Sequence, residues 1–195
     1  MYEDYMIKPY VSPDRDPKEG VKPVPKRNME PLADGLLAGD IILLWRINFG
    51  TFTNETWHPK YFEYTYGIDG PSHLTQLLEN GYAYEESAFD SLDHLNSSQK
   101  KVILKERGVK GLSKMKVADL DEALAKNLSE EELGQYFTVR GIALTRKGEE
   151  TLANHQEIIN RHPNKKNIAK NRLEMSNRFS FYFPPRGDIP RAIRP

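Results

Sequence analysis

The sequence contains no cysteine, which excludes disulfides and thiolate metal sites and agrees with a cytosolic protein. Long apolar runs are missing too. The longest, Ile41-Ile42-Leu43-Leu44-Trp45, falls far below the roughly 18 residues a membrane-spanning helix needs. The acidic, tyrosine-rich start, Met1 to Tyr10, has no basic stretch followed by an apolar core, so no signal peptide is expected. No period of about 20 to 50 residues indicates a repeat array. Net charge is zero as well, with 28 basic and 28 acidic residues. What remains is a chain of 195 residues, 38% hydrophobic and 29% charged, with a mean hydropathy of -0.68. Those values describe one or two small soluble domains, cytoplasmic by expectation.

The residue patterns of catalysis are also missing. Gly108-x-x-Gly111 has no strand before it and is not a phosphate-binding loop. The histidines, His58, His73, His94, His155 and His162, show no paired ligand spacing, so no metal is expected. No serine sits in a nucleophile elbow. The carboxylates of Glu130-Glu131-Glu132 and Asp119-x-Asp121-Glu122 fall at helix starts and exposed helix faces, where they complement the helix dipole. A non-enzymatic protein without a cofactor or catalytic residue is the expectation.

The most informative stretch is Leu92 to Leu128. Asn96 and Ser97 are capping residues, Val102, Ile103 and Leu104 follow Leu92 and Leu95 on or beside one stripe, and Val117, Leu120, Leu124 and Leu128 repeat it. Two short helices joined by a turn are predicted, each too short to be stable alone. Lys100, Lys101, Lys105, Arg107, Lys110, Lys114 and Lys116 crowd around the turn. A basic helix pair of this size points to phosphate binding.

Leu95, Leu104, Lys105-Glu106-Arg107-Gly108-Val109, Lys116, Leu120 and Leu124 make this run resemble a SAP domain, a helix-extended-helix module that holds DNA. Where that module has a leucine midway through its first helix this sequence has Lys100, and the turn glycine falls at Met115. The arginine usual near the end of its second helix falls at Ala123. The resemblance implies a helix pair that contacts the phosphates of double-stranded DNA.

Before the pair, Met1 to Pro31 is proline-rich and reads as an extended arm, with Tyr2, Tyr5, Met6, Ile7, Tyr10 and Val11 expected to pack on something. Leu32 to Ile47 is predicted as the first helix, with Leu36, Leu37, Ile41, Leu44 and Trp45 mostly on one side and Gly39 weakening it. An aromatic connection, Phe49 to Tyr66, suits core filling better than ligand stacking. Asp69-Gly70-Pro71 starts a helix that Gly81 ends, and Tyr82-Ala83-Tyr84 is a short strand.

After the pair, Ser129 and Glu132 form a capping box. Phe137 to Leu144 alternates like a strand, and a helix runs from there to about Ile159. The passage Tyr61 to Ala83, with this later strand and helix, resembles a winged helix whose recognition helix presents Ser72, His73, Thr75, Gln76, Glu79 and Asn80. The helix pair is then an insertion between the two wing strands.

Tyr61-Phe62-Glu63-Tyr64, Tyr66-Gly67-Ile68, Ser129 to Leu133, and Leu144-Thr145 with Gly148-Glu149 further resemble a family of SAP-bearing proteins from Gram-positive bacteria and their phages. The expected fold class is therefore mainly α with a minor α+β part. Residues 32–91 and 129–162 form a split winged-helix-like domain, 92–128 the SAP-like unit, 1–31 the N-terminal arm and 163–195 the C-terminal arm.

Zero net charge hides two poles. Residues 32–91 hold two basic and nine acidic residues, and 160–195 hold nine basic and two acidic. The basic tail suits either its own or a neighbour's acidic surface, or nucleic acid. Its run Arg178-Phe179-Ser180-Phe181-Tyr182-Phe183 suits addition to a sheet edge or groove.

Two functional classes follow. In the first, double-stranded DNA is held at Lys101, Lys105, Arg107, Lys110, Lys114 and Lys116, with Arg140, Arg146 and Lys147 contributing from the wing. In the second, the protein is an assembly component, for instance of a phage particle, whose two arms clasp neighbouring subunits in an oligomer. An inhibitor docking its acidic face on a host nucleic-acid enzyme is a third, weaker reading.

Overall fold

The structure, a computed structural model, describes residues 2–16 and 22–163. The expected C-terminal arm lies outside the described residues except for Pro163. Two units divide at Gln156 and Glu157. The first is mainly helical: α1 (Ala38–Ile47), α2 (Tyr61–Tyr64), α3 (Gly70–Glu79), β1 (Ala83–Glu85), α4 (Ser97–Glu106), α5 (Val117–Asn127), α6 (Glu130–Gly134), β2 (Ile142–Leu144) and α7 (Arg146–Asn154). The short α8 (Gln156–Arg161) leads into the second. No helix among the described residues is long and apolar enough to cross a membrane.

The body is built around α1. Ile41, Ile42, Leu43 and Leu44 are all fully buried, so this helix is enclosed on every side instead of showing one apolar stripe. It packs on α3, α7 and β2. Burial of each such side chain contributes about 1.5–3 kcal/mol, which makes α1 the main apolar anchor of the body. The helix begins later than its sequence suggests. Asp34 and Gly35 make a turn first, in which Leu36 N–H donates to Asp34 Oδ1 at 3.2 Å and Gly35 takes φ +82°, and short polar side chains favour such local closure over helix. Gly39 has a packing role: a Cβ there would press on the side chain of Ile68.

Asp40 ties α1 to α3. Its Oδ2 accepts from Leu37 N–H at 2.8 Å and its Oδ1 meets His73 Nδ1 at 2.6 Å. A buried carboxylate is tolerated because both oxygens are partnered. Asp69 caps α3 by accepting from Ser72 N–H. The helix closes in a Schellman turn, with Tyr82 N–H donating to Leu77 O and Gly81 N–H to Leu78 O at φ +72°.

β1 and β2 pair antiparallel, with Ala83 opposite Leu144, Tyr84 opposite Ala143 and Glu85 opposite Ile142. Sequence alternation extended the second strand back to Phe137, but regular pairing stops at Ile142. Asn54 intervenes: its side chain donates to Thr138 O and accepts from Arg140 N–H, while its own N–H donates to Arg140 O. Those bonds replace a ladder with a loop clamp. The expected helix to Ile159 is also interrupted, at His155 (φ −121°, ψ 37°), which separates α7 from α8.

The N-terminal arm packs along this same chain. Tyr10 N–H donates to Gly67 O at 2.7 Å, Ser12 N–H to Glu63 Oε1 at 3.1 Å, and Asn28 Nδ2 to Thr65 O at 2.8 Å. Val24 and Met29 are buried and Tyr2 and Tyr5 half-buried, whereas Met6, Ile7, Tyr10 and Val11, expected to pack, are exposed.

Candidate nucleic-acid interface

The helix pair has a core of its own. Ala88, Leu92, Leu95, Ile103, Leu104, Leu120, Ala123, Leu124, Leu128 and Leu133 form one buried cluster. Two short helices gain through this cluster the stability neither has alone. Asn96 and Gln99 make a reciprocal capping box at the start of α4: Gln99 N–H donates to Asn96 Oδ1 at 3.0 Å and Asn96 N–H to Gln99 Oε1 at 2.9 Å. At its end Val109 N–H donates to Leu104 O and Gly108 N–H to Lys105 O, both at 3.0 Å. This is a second Schellman turn, and φ +75° at its C′ position favours Gly108.

Ser129 and Glu132 form the expected box on α6, with bonds of 2.9 and 3.2 Å. Glu130, next to that cap, accepts from Ala88 and Phe89 N–H, so α6 also fastens the approach to the pair.

Lys100 is buried: its side chain is 1% exposed and its Nζ lies 2.6 Å from Asp121 Oδ1 on α5. Asp121 Oδ1 has no aligned hydrogen-bond donor, so the contact is a close ion pair instead of a directed bond. Sequence reasoning grouped Lys100 with the turn lysines. Its immediate sequence neighbours do not signal the difference, because its partner lies in the other helix.

The nine cations singled out for DNA separate into two kinds. Lys105, Lys110, Lys114 and Lys116 are exposed and Lys101 is half-buried. None of these five has an ion-pair or hydrogen-bond partner for its ammonium among the described residues. Lys101 and Lys105, four apart on α4, lie on one side of it, away from Ile103 and Leu104. Lys110, Lys114 and Lys116 belong to the turn and the start of α5.

The other four are engaged. Arg107 Nη2 meets Glu132 Oε1 at 2.9 Å; the Ser129 backbone N–H first, and Arg107 second, hold the Glu132 carboxyl below its usual range. Arg140 Nη1 donates to Phe137 O and Val139 O, and its guanidinium stacks 4.9 Å from the Phe137 ring. Arg146 pairs with Glu150 at 2.8 Å. Lys147 Nζ donates to Asn80 O at 2.9 Å and lies 3.9 Å from the centre of the Tyr82 ring.

On α3, Ser72, Thr75, Gln76, Glu79 and Asn80 are exposed, while His73 is held by Asp40. In the aromatic connection Phe52, Phe62 and Tyr66 are buried and Trp57 is exposed. His58 packs edge-on against Phe52 and Phe62. Burial lowers the His58 pKa, Asp69 opposes that effect and Arg46 adds to it.

No protein-family model, curated protein or solved structure matches this chain. The site is therefore argued from its own residues.

Proposed function

We propose that this protein is a non-enzymatic binder of double-stranded DNA that grips phosphates with the basic turn of its helix pair. One observation carries the reading: Lys101, Lys105, Lys110, Lys114 and Lys116 surround one turn without a partner among the described residues. Exposed ammonium groups held on a packed scaffold suit phosphate contact, and such contacts supply affinity without sequence choice. A SAP-like identity for residues 92–128 is supported by the two capped helices on a shared core. The pairing of β1 with β2 on either side of the insertion supports the winged-helix-like reading of the body. An assembly role keeps one specific support, the exposed Met6, Ile7, Tyr10 and Val11 on an arm that is held to the body at points such as Val24 and Met29.

The test is anisotropy of a labelled random duplex between about 50 and 200 mM salt. The Lys105→Gln, Lys110→Gln, Lys114→Gln variant is expected to bind more weakly and to flatten the salt slope by about 0.9 per lost phosphate contact. Unchanged affinity and slope in the variant would remove the DNA reading.

A further inference from the structure

Glu86, Asp93 and His94 come together at the root of the helix pair. Glu86 follows β1, and its N–H donates to Gly141 O at 2.8 Å beside β2. Asp93 and His94 end the 3-10 turn Asp90–His94 that leads toward α4. One ligand atom from each of the three lies within 4.8 Å of the others. His94 Nε2 is 3.4 Å from Asp93 Oδ1 and 3.9 Å from Glu86 Oε2. Two ligands about 2.1 Å from a tetrahedral zinc ion are themselves about 3.4 Å apart. The His94–Asp93 pair already has that separation, His94–Glu86 reaches it by closing about half an ångström, and the Glu86 and Asp93 oxygens, within 4.8 Å of one another, approach by rotation of their side chains.

The surroundings fit the same reading. A Cβ at position 141 would collide with Glu86 Oε2 and with His94 Nε2, so Gly141 makes the convergence possible. The Glu86 and Asp93 carboxylates crowd one imidazole here. Carboxylates crowded in this way gain from a cation placed among them. Beside them opens a cleft of about 280 Å³ lined also by Asn48, Tyr84 and Glu149, with room for a water or a fourth ligand.

We propose that Glu86, Asp93 and His94 bind one divalent transition-metal ion of the zinc class, which fastens the connection into the helix pair to the edge of the sheet. One imidazole with two carboxylates suits borderline zinc better than the all-oxygen shells of magnesium or calcium. The ligands are one oxygen of each carboxylate and His94 Nε2. This site is separate from the DNA reading, since none of its ligands belongs to the basic turn.

Titration calorimetry of the full-length, chelator-treated protein with zinc chloride tests it. One equivalent is expected to bind, and the thermal midpoint to rise by several degrees at zinc about a hundredfold above Kd. Asp93→Asn, at a largely exposed side chain that leaves the fold intact, is expected to weaken zinc at least about tenfold, as are Glu86→Gln and His94→Gln. Cobalt(II) in place of zinc is expected to give the intense visible bands of four-coordination in the wild type and not in Asp93→Asn. Lack of stoichiometric binding, or equal affinity in wild type and Asp93→Asn, overturns the proposal and leaves the three groups as a polar cluster without a metal.

Discussion

The body and the helix pair use the same cationic side chains in opposite ways. In residues 32–91 and 129–156 every cation has a partner: Arg46 donates to the Tyr61 hydroxyl, Lys60 faces the Tyr64 ring, and Arg140, Arg146 and Lys147 are held as described above. Among the described residues, the cations of 92–128 that are paired are Lys100, Arg107 and Lys126, and five lysines are left around one turn. Of the body's cations Arg146 meets an acid, and the others meet a hydroxyl, backbone carbonyls or aromatic rings. In the pair, Asp119 caps α5 by accepting from Lys116 N–H at 2.8 Å, Asp121 faces Lys100 and Glu122 pairs with Lys126. Unpartnered charge in the pair thus results from how its few acids are placed, beyond the number of its lysines.

Lys100 gives the largest test of this contrast, because it is the one lysine of the pair treated as core. Lys100→Ala removes the stem from the cluster and strands Asp121. Breaking a buried pair costs about 3–5 kcal/mol. Asp121 is 36% exposed and recovers part of that from water, so urea denaturation is expected to show a loss of about 2–3 kcal/mol. The double replacement Lys100→Leu, Asp121→Ala should stay within about 1 kcal/mol of wild type, since apolar replacement of both members of a buried ion pair is commonly neutral or better. Equal damage from the single and the double replacement would mean that the ion pair itself holds the two helices together.

Local chemistry was legible in the sequence, and tertiary partnership was not. Asp69, Asn96 and Ser129 cap helices as their types suggest, and Gly81 and Gly108 end them, because these signals act within a few residues. The start of α1 was misplaced because an Asp-Gly turn competed with apolar periodicity. The strand from Phe137 was cut short by Asn54, a residue more than eighty positions away. For the same reason the basic set in the sequence mixed free and engaged cations: nothing near Lys147 announces Tyr82 above it, and nothing near Lys100 announces Asp121. Glu86 and His94 have no motif spacing at all, since Gly141 brings them together through the sheet.

The body holds its histidines differently from its cations, and pH separates the two. Burial depresses the His58 pKa, so the unfolded chain takes up this proton at higher pH than the folded one. Its contribution to stability is therefore complete above the unfolded value of about 6.5 and is lost as pH falls below it. Urea midpoints at about pH 7.5 and 5.0 should fall more steeply in wild type than in His58→Gln. The difference between the two slopes isolates His58 from His73, His94 and His155, which face carboxylates. Identical slopes would show that protonated His58 is accommodated between its aromatic neighbours.

The smallest effect is expected at Lys147, and it bears most directly on the division of the cations. In sequence Lys147 is as basic as Lys105, but in the structure its ammonium sits between Asn80 O and the Tyr82 ring. Moving that ammonium to a phosphate would forfeit a cation–π contact and a hydrogen bond, each about 0.5–1.5 kcal/mol. This offsets much of what a single exposed phosphate contact contributes. Lys147→Met, which keeps the stem over the ring, should change duplex affinity by less than about twofold, against a clear loss for Lys105→Gln under the same salt. Comparable losses for the two would show that Lys147 leaves the ring to meet DNA, and that the body shares the binding surface with the helix pair.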